Sequence, residues 1–202
     1  RLVVKDAAKG IAAGLQAAFP NAEQRDDCFH ALYEMSKVAR RLEQKAYAAI
    51  AAEMEAEVEL EKFKRALQGG RKQRRVYDSK LAHARRRCRP VLELHDAFAR
   101  AADQARDALE VIDIETGQLR AAAEMKCMLL QAGQTMEGLE DVHCRRVGKY
   151  LRNRAPGLVL YAVEFREALA ALAATYGEEP VRLACIALRL DHELRGHGRL
   201  GS

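Results

Sequence analysis

The sequence predicts a mainly helical fold: a long antiparallel helical hairpin followed by shorter helices, with a short β-α-β segment at the N-terminus. Three observations predict it. Only four prolines and thirteen glycines interrupt 202 residues rich in alanine and leucine, and tryptophan is absent. Two long stretches carry apolar residues at steps of three and four. A Gly69-Gly70 pair lies between them, short enough to fold the second helix back on the first.

Leu2-Val3-Val4-Lys5-Asp6 reads as a short strand ending in an acid, and Ala7 to Phe19 as a helix stopped by Pro20-Asn21. The opening at Arg1, with Leu2-Val3-Val4 at once, resembles a strand entered midway, so the gene's own start is expected upstream. Glu23 to Cys28 is the second strand. From Phe29 to Leu67 the spacing of Leu32, Met35, Ala39, Leu42, Ala46, Ile50, Met54, Val58 and Phe63 gives a helix about 58 Å long at 1.5 Å per residue. Gln68-Gly69-Gly70-Arg71 breaks it.

The second long helix is expected from Arg75 to Glu115, where Tyr77, Leu81, Ala84, Cys88, Val91, His95, Phe98, Ala102, Ala105, Leu109 and Ile112 form a heptad seam. Pro90 removes one backbone donor and is expected to kink this helix rather than end it. After Thr116-Gly117 come helices over Gln118 to Ala132, Asp141 to Arg152, Pro156 to Tyr176 and Pro180 to Arg195. Gly133 and Gly138 loosen the chain, Asp141 caps, Gly177 ends a helix and Pro180 suits a first turn. Gly196 to Ser202 is an unpacked tail.

Five cysteines, Cys28, Cys88, Cys127, Cys144 and Cys185, are odd in number and never in a C-x-x-C pair, which argues against a disulfide framework or structural zinc and for buried free thiols. No apolar run approaches the roughly 18 residues of a membrane span, and no signal segment opens the chain; a cytoplasmic location follows as the default. The net charge of +5 and pI near 9.0 suit a polyanion partner. Cations gather in three clusters: Arg71 to Arg75, Arg85 to Arg89, and Arg145, Arg146, Lys149, Arg152 and Arg154. The alternating Glu53, Glu55, Glu57, Glu59 and Glu61 split between helix faces and read as a solvated surface. No phosphate-binding glycine loop is present.

Singly, Asp6 and Asp27 each have a plain explanation as helix caps, with His30 in a first turn and Phe29 in the core. Jointly, Val3-Val4-Lys5-Asp6-Ala7-Ala8-Lys9-Gly10-Ile11, then Phe19-Pro20-Asn21-Ala22, then Gln24-x-x-Asp27-x-Phe29-His30 resembles bacterial insertion-sequence transposases of the Asp-Asp-Glu class. These have an RNase H-like α/β core interrupted by an all-helical insertion.

The resemblance implies a partial catalytic core over residues 1–30, a helical insertion over 31–195 and the tail over 196–202. It implies that Asp6 is the second catalytic acid and a ligand of Mg²⁺ (or Mn²⁺), and that Asp27 and His30 stand beside the active site as non-ligands. The third cluster, Arg145, Arg146, Lys149, Arg152 and Arg154, would contact DNA, both transposon ends and target, in a homo-oligomer with no membrane part. The reaction implied is metal-dependent phosphodiester cleavage and strand transfer. The first catalytic acid is expected before Arg1 and the final glutamate after Ser202; Glu164 and Glu167 are weaker candidates, since their helix reads better as amphipathic packing. This segment alone is therefore expected to be inactive. The alternative is a helical coiled-coil-type interaction module without activity, and a stand-alone metal-dependent nuclease is the third reading.

Overall fold

The structure is a computed structural model and describes residues 2–5, 23–66, 70–113, 116 and 118–197, the backbone alone for 2–5, 23–26 and 191–197. Asp6, the Ala7 to Phe19 helix and the end of the tail lie outside the described residues. Strands β1 (Leu2–Lys5) and β2 (Glu23–Asp26) pair in parallel, with Leu2 opposite Glu23 and Lys5 opposite Asp26. Six helices follow: α1 (Cys28–Arg65), α2 (Arg71–Ala108), α3 (Ala122–Glu137), α4 (Val142–Leu158), α5 (Leu160–Tyr176) and α6 (Glu178–His197). The described chain is mainly helical.

α1 and α2 form the hairpin. As numbers rise along α1 their partners' numbers on α2 fall: Glu53 meets Arg85, Glu59 meets Lys80, and Phe63 stacks on Tyr77 with ring centroids 4.8 Å apart. The α2 seam holds, with Leu81, Cys88, Phe98, Ala102 and Ala105 all buried. Along α1 it holds through Ala46 and again at Phe63. The expected seam residues Met54 and Val58 are exposed, because the line of contact passes instead through Glu53, Ala56, Leu60 and Phe63. α2 runs through Pro90 without ending.

The body of the fold is a four-helix core in which the lower halves of α1 and α2 receive α3 and α4. Met35, Leu42, Phe98, Met125, Leu129, Met136, Leu151 and Leu158 are its largest fully buried side chains. Burying each contributes on the order of 1.5–3 kcal/mol relative to exposure.

α2 starts at Arg71 rather than Arg75 and α3 at Ala122 rather than Gln118, and four further expectations change. α2 ends at Ala108 rather than Glu115, although Leu109 and Ile112 keep the heptad period. The chain turns there, with an isolated antiparallel bridge from Ile112 to Leu119. Thr116 donates its N–H (2.9 Å) and hydroxyl (3.0 Å) to Asp113, and the Arg120 guanidinium reaches both Asp107 and Asp113.

Second, Gly133 does not loosen the chain but lies buried inside α3, where it meets Gly148 of α4. Third, Pro156 sits in the last turns of α4, not at the start of α5. Fourth, α6 includes Gly196 and His197, two residues of the expected tail. Gly177, at φ 89°, ends α5 as expected, its N–H bonding to the Ala173 carbonyl at 2.8 Å.

α5 is not an amphipathic packing helix. Only Ala162 is buried, while Val163, Phe165, Leu172 and Tyr176 are exposed, for its apolar residues encircle the helix instead of forming one stripe. Among the described residues no helix is long and apolar enough to cross a membrane.

Candidate nucleic-acid interface

α4 is laid out by its sequence. Cys144, Val147, Gly148, Leu151, Ala155 and Leu158 recur at helical spacing and are buried, which turns Arg146 and Lys149 outward on the opposite face with Arg145 and Arg152 at its flanks. Asp141 caps the helix, accepting from the N–H groups of His143 (2.8 Å) and Cys144 (3.4 Å). Its two carboxylate oxygens also take Arg41 at 3.3 Å and Lys45 at 3.2 Å from α1. Burial pushes the Asp141 carboxyl up, but those hydrogen bonds and the Arg41 charge outweigh it and leave the group below the ordinary carboxylate range.

The five cations of the third cluster are not equivalent. Arg145, Arg146 and Lys149 are exposed. Arg152 is also exposed but pairs with Glu137 on α3. Arg154 is half-buried and makes contacts of its own. The outward row available to a phosphate backbone is therefore three residues plus Arg152, and Arg154 stands apart from it.

This helix also adjoins the short sheet. β2 packs against α4, and so does α1. The His30 ring, half-buried in the first turn of α1, lies 5.7 Å from the Tyr150 ring, next in sequence to Lys149. Cys28 donates its thiol to the Leu158 carbonyl at 3.2 Å, closing the same junction. Asp27 acts as the N-cap of α1, accepting from Phe29 N–H at 2.8 Å. Phe29 itself, expected in the core, is 71% exposed. Tyr150 gave no signal in the sequence.

Around this junction the described residues do not make a metal site by themselves. No group of three His, Cys, Asp or Glu side chains among them converges on one point, and Asp27 already uses an oxygen on Phe29 N–H. Glu164 and Glu167 are exposed on α5.

All five described cysteines are free thiols. Cys88, Cys144 and Cys185 are buried and Cys28 half-buried; Cys127, against expectation, is exposed, on the outer side of α3. Burial and the nearby Asp141 charge push the Cys144 thiol up to about 11, so it stays protonated near neutral pH.

Of the alternating acids, Glu53, Glu57 and Glu59 are not merely solvated: they pair with Arg85 and Lys80 across the hairpin. Only the antiparallel register, which linear spacing does not display, could reveal those partners. Compared with protein-family models, with curated proteins and with solved structures, the chain matches none.

Proposed function

We propose that this chain is part of a DNA transposase of the Asp-Asp-Glu class, with a piece of an RNase H-like core over residues 1–30 and an all-helical insertion over 31–195. The observation that supports this reading is the junction at β2. The two strands run parallel with Lys5 opposite Asp26, so the backbone immediately before Asp6 and before Asp27 ends at the same edge of the sheet. Ligands of α/β sheets gather at such carboxyl ends. Beside that junction runs α4 with its outward cations.

In this reading Asp6 supplies one carboxylate to Mg²⁺ or Mn²⁺, and further acids come from chain outside Arg1 to Ser202. When bound, the metal pair supplies the charge stabilisation that phosphodiester cleavage and strand transfer need. His30 and the Asp27 cap steady the passage from strand to insertion. Arg145, Arg146, Lys149 and Arg152 hold phosphates through sequence-independent contacts. The transposon ends and target DNA are the partners, and a homo-oligomer is the working form.

The test is Asp6→Asn in the full-length protein, assayed for cleavage of end-containing DNA in Mg²⁺ alongside DNA binding. The substitution keeps size and removes the charge that holds the metal, so cleavage should be lost while binding persists. Undiminished cleavage would end the assignment.

One observation favours the second reading, a helical interaction module without activity: the exposed apolar residues of α5, Val163, Phe165, Leu172 and Tyr176. That reading expects Asp6→Asn to change nothing and Phe165→Asp to break self-association in light scattering.

A further inference from the structure

Cations are unevenly neutralised along the hairpin. In the stem, Arg85 meets Glu53 and Glu57, each at 3.2 Å, and Lys80 meets Glu59 at 3.2 Å. At the far end the last turn of α1 carries Lys62, Lys64 and Arg65, and the start of α2 carries Arg71, Lys72, Arg74 and Arg75. The Phe63 and Tyr77 stack fixes the two helix ends against each other, which brings these cations together.

All seven are exposed, and no acid occurs between Lys62 and Tyr77. Only Lys64, with Glu61 at 2.7 Å, and Arg74, with Asp78 at 3.9 Å, meet a carboxylate among the described residues. Residues 61–78 hold these seven cations and two acids, Glu61 and Asp78, and the rest of the chain's 34 basic and 29 acidic residues divide into 27 of each, so this stretch carries a net charge equal to the whole chain's +5.

Stability does not ask for this arrangement. Cations at the start of α2 oppose the helix dipole, and no acid occupies its first turn to offset them. Like charges crowded on one end repel one another and gain only from an external anion. Four of the seven are arginines, whose planar fork matches phosphate oxygens two at a time. The aromatic rings at this end, Phe63 and Tyr77, are stacked on each other and half-buried, which suits neither unpaired bases nor insertion into a bilayer.

We propose that the hairpin tip is a docking surface for the phosphate backbone of duplex nucleic acid, held chiefly by Arg65, Arg71, Lys72 and Arg75. It goes beyond the α4 contact proposed above and does not depend on it. Lys45 ties α1 to the α4 cap, and Arg65 stands 20 residues further along the helix, roughly 30 Å at 1.5 Å per residue.

The experiment measures binding of the 202-residue chain to a fluorescent mixed-sequence DNA duplex by anisotropy at several salt concentrations. Arg71→Glu/Lys72→Glu/Arg75→Glu should weaken binding about tenfold or more and lower the slope of log affinity against log salt by roughly 0.9 for each phosphate no longer neutralised. Two of its three acids, at positions 71 and 72, lie in the first turn where the helix dipole favours them, so circular dichroism should show helix content preserved. Lys37→Glu/Arg100→Glu/Lys126→Glu carries the same charge change on exposed sites elsewhere and should lose much less.

Equal losses in both triple variants would overturn the proposal, since net charge and not the tip would then set affinity. So would unchanged duplex binding by the tip variant, or tip-dependent capture of phosphatidylglycerol vesicles without duplex binding. Neutralising Arg145, Arg146, Lys149 and Arg152 in parallel separates the two claims: loss there with the tip variant intact sinks the tip and spares α4, and the converse does the reverse.

Discussion

Gly133 and Gly148 face each other where α3 crosses α4, and the crossing is close because neither carries a side chain. A Cβ on Gly148 would lie 2.6 Å from the Glu137 nitrogen, and one on Gly133 would lie 2.9 Å from the Gly148 carbonyl oxygen. Alanine is the better helix former by about 1 kcal/mol, but overpacking against backbone costs about 1–3 kcal/mol or more. Gly148→Ala should therefore destabilise, seen as a lower urea midpoint; a rise in the midpoint would show that the crossing relaxes freely.

Asp141 works through charge instead. Its carboxyl sits below the ordinary carboxylate range when folded, so its contribution is complete above the unfolded value near pH 4 and lost as pH falls through the lowered folded value. Asp141→Ala should cost about 0.5–2 kcal/mol at neutral pH. The gap between wild type and Asp141→Ala, followed by denaturation from pH 7 downward, should close in acid.

The hairpin was the most legible element, because a heptad seam and a glycine break are both written locally. Leu81 and Phe98, read as interior, are buried, Phe98 to 1% exposure. Phe98→Ala should cost on the order of 3–5 kcal/mol, whereas Arg85→Gln, which removes partly exposed ion pairs to Glu53 and Glu57, should cost about 1 kcal/mol or less. Urea denaturation of the two variants side by side tells whether apolar packing or charge holds the two helices together.

What the sequence hid shares one cause, that the deciding partner is distant in the chain. Leu109 and Ile112 kept the helical period although the backbone turns, since Arg120 and Tyr161 claim that turn: the Tyr161 hydroxyl donates to the Leu109 carbonyl, and Arg120 holds Asp107 and Asp113. Gly133 looked like a breaker because its partner is fifteen positions away. At the candidate interface the outward row of α4 could be read from its period, but not that Arg152 would take Glu137 or that His30 would meet Tyr150.

Across the fold, packing is graded from one end to the other. Near the sheet, α1 and α2 are gripped by α3 and α4, and Met35, Leu42, Phe98 and Ala105 pack into the shared core of several helices. Past Ala46 on α1 and before Val91 on α2 the described helices have only each other, with Leu60, Leu81 and Cys88 as the buried residues of the stem. Two helices in water without a third surface depend on few apolar contacts and on ion pairs worth little each. Local opening should therefore cost less in the stem than in the body. Amide hydrogen exchange should show protection falling stepwise along the hairpin, with Leu129, Leu151 and Ala105 among the slowest amides and those of Ala56, Leu60 and Leu81 faster by an order of magnitude or more. Uniform protection along α1 would mean that the stem unfolds only with the body, and that Phe63 and Tyr77 clamp the tip more firmly than their half-buried stack accounts for.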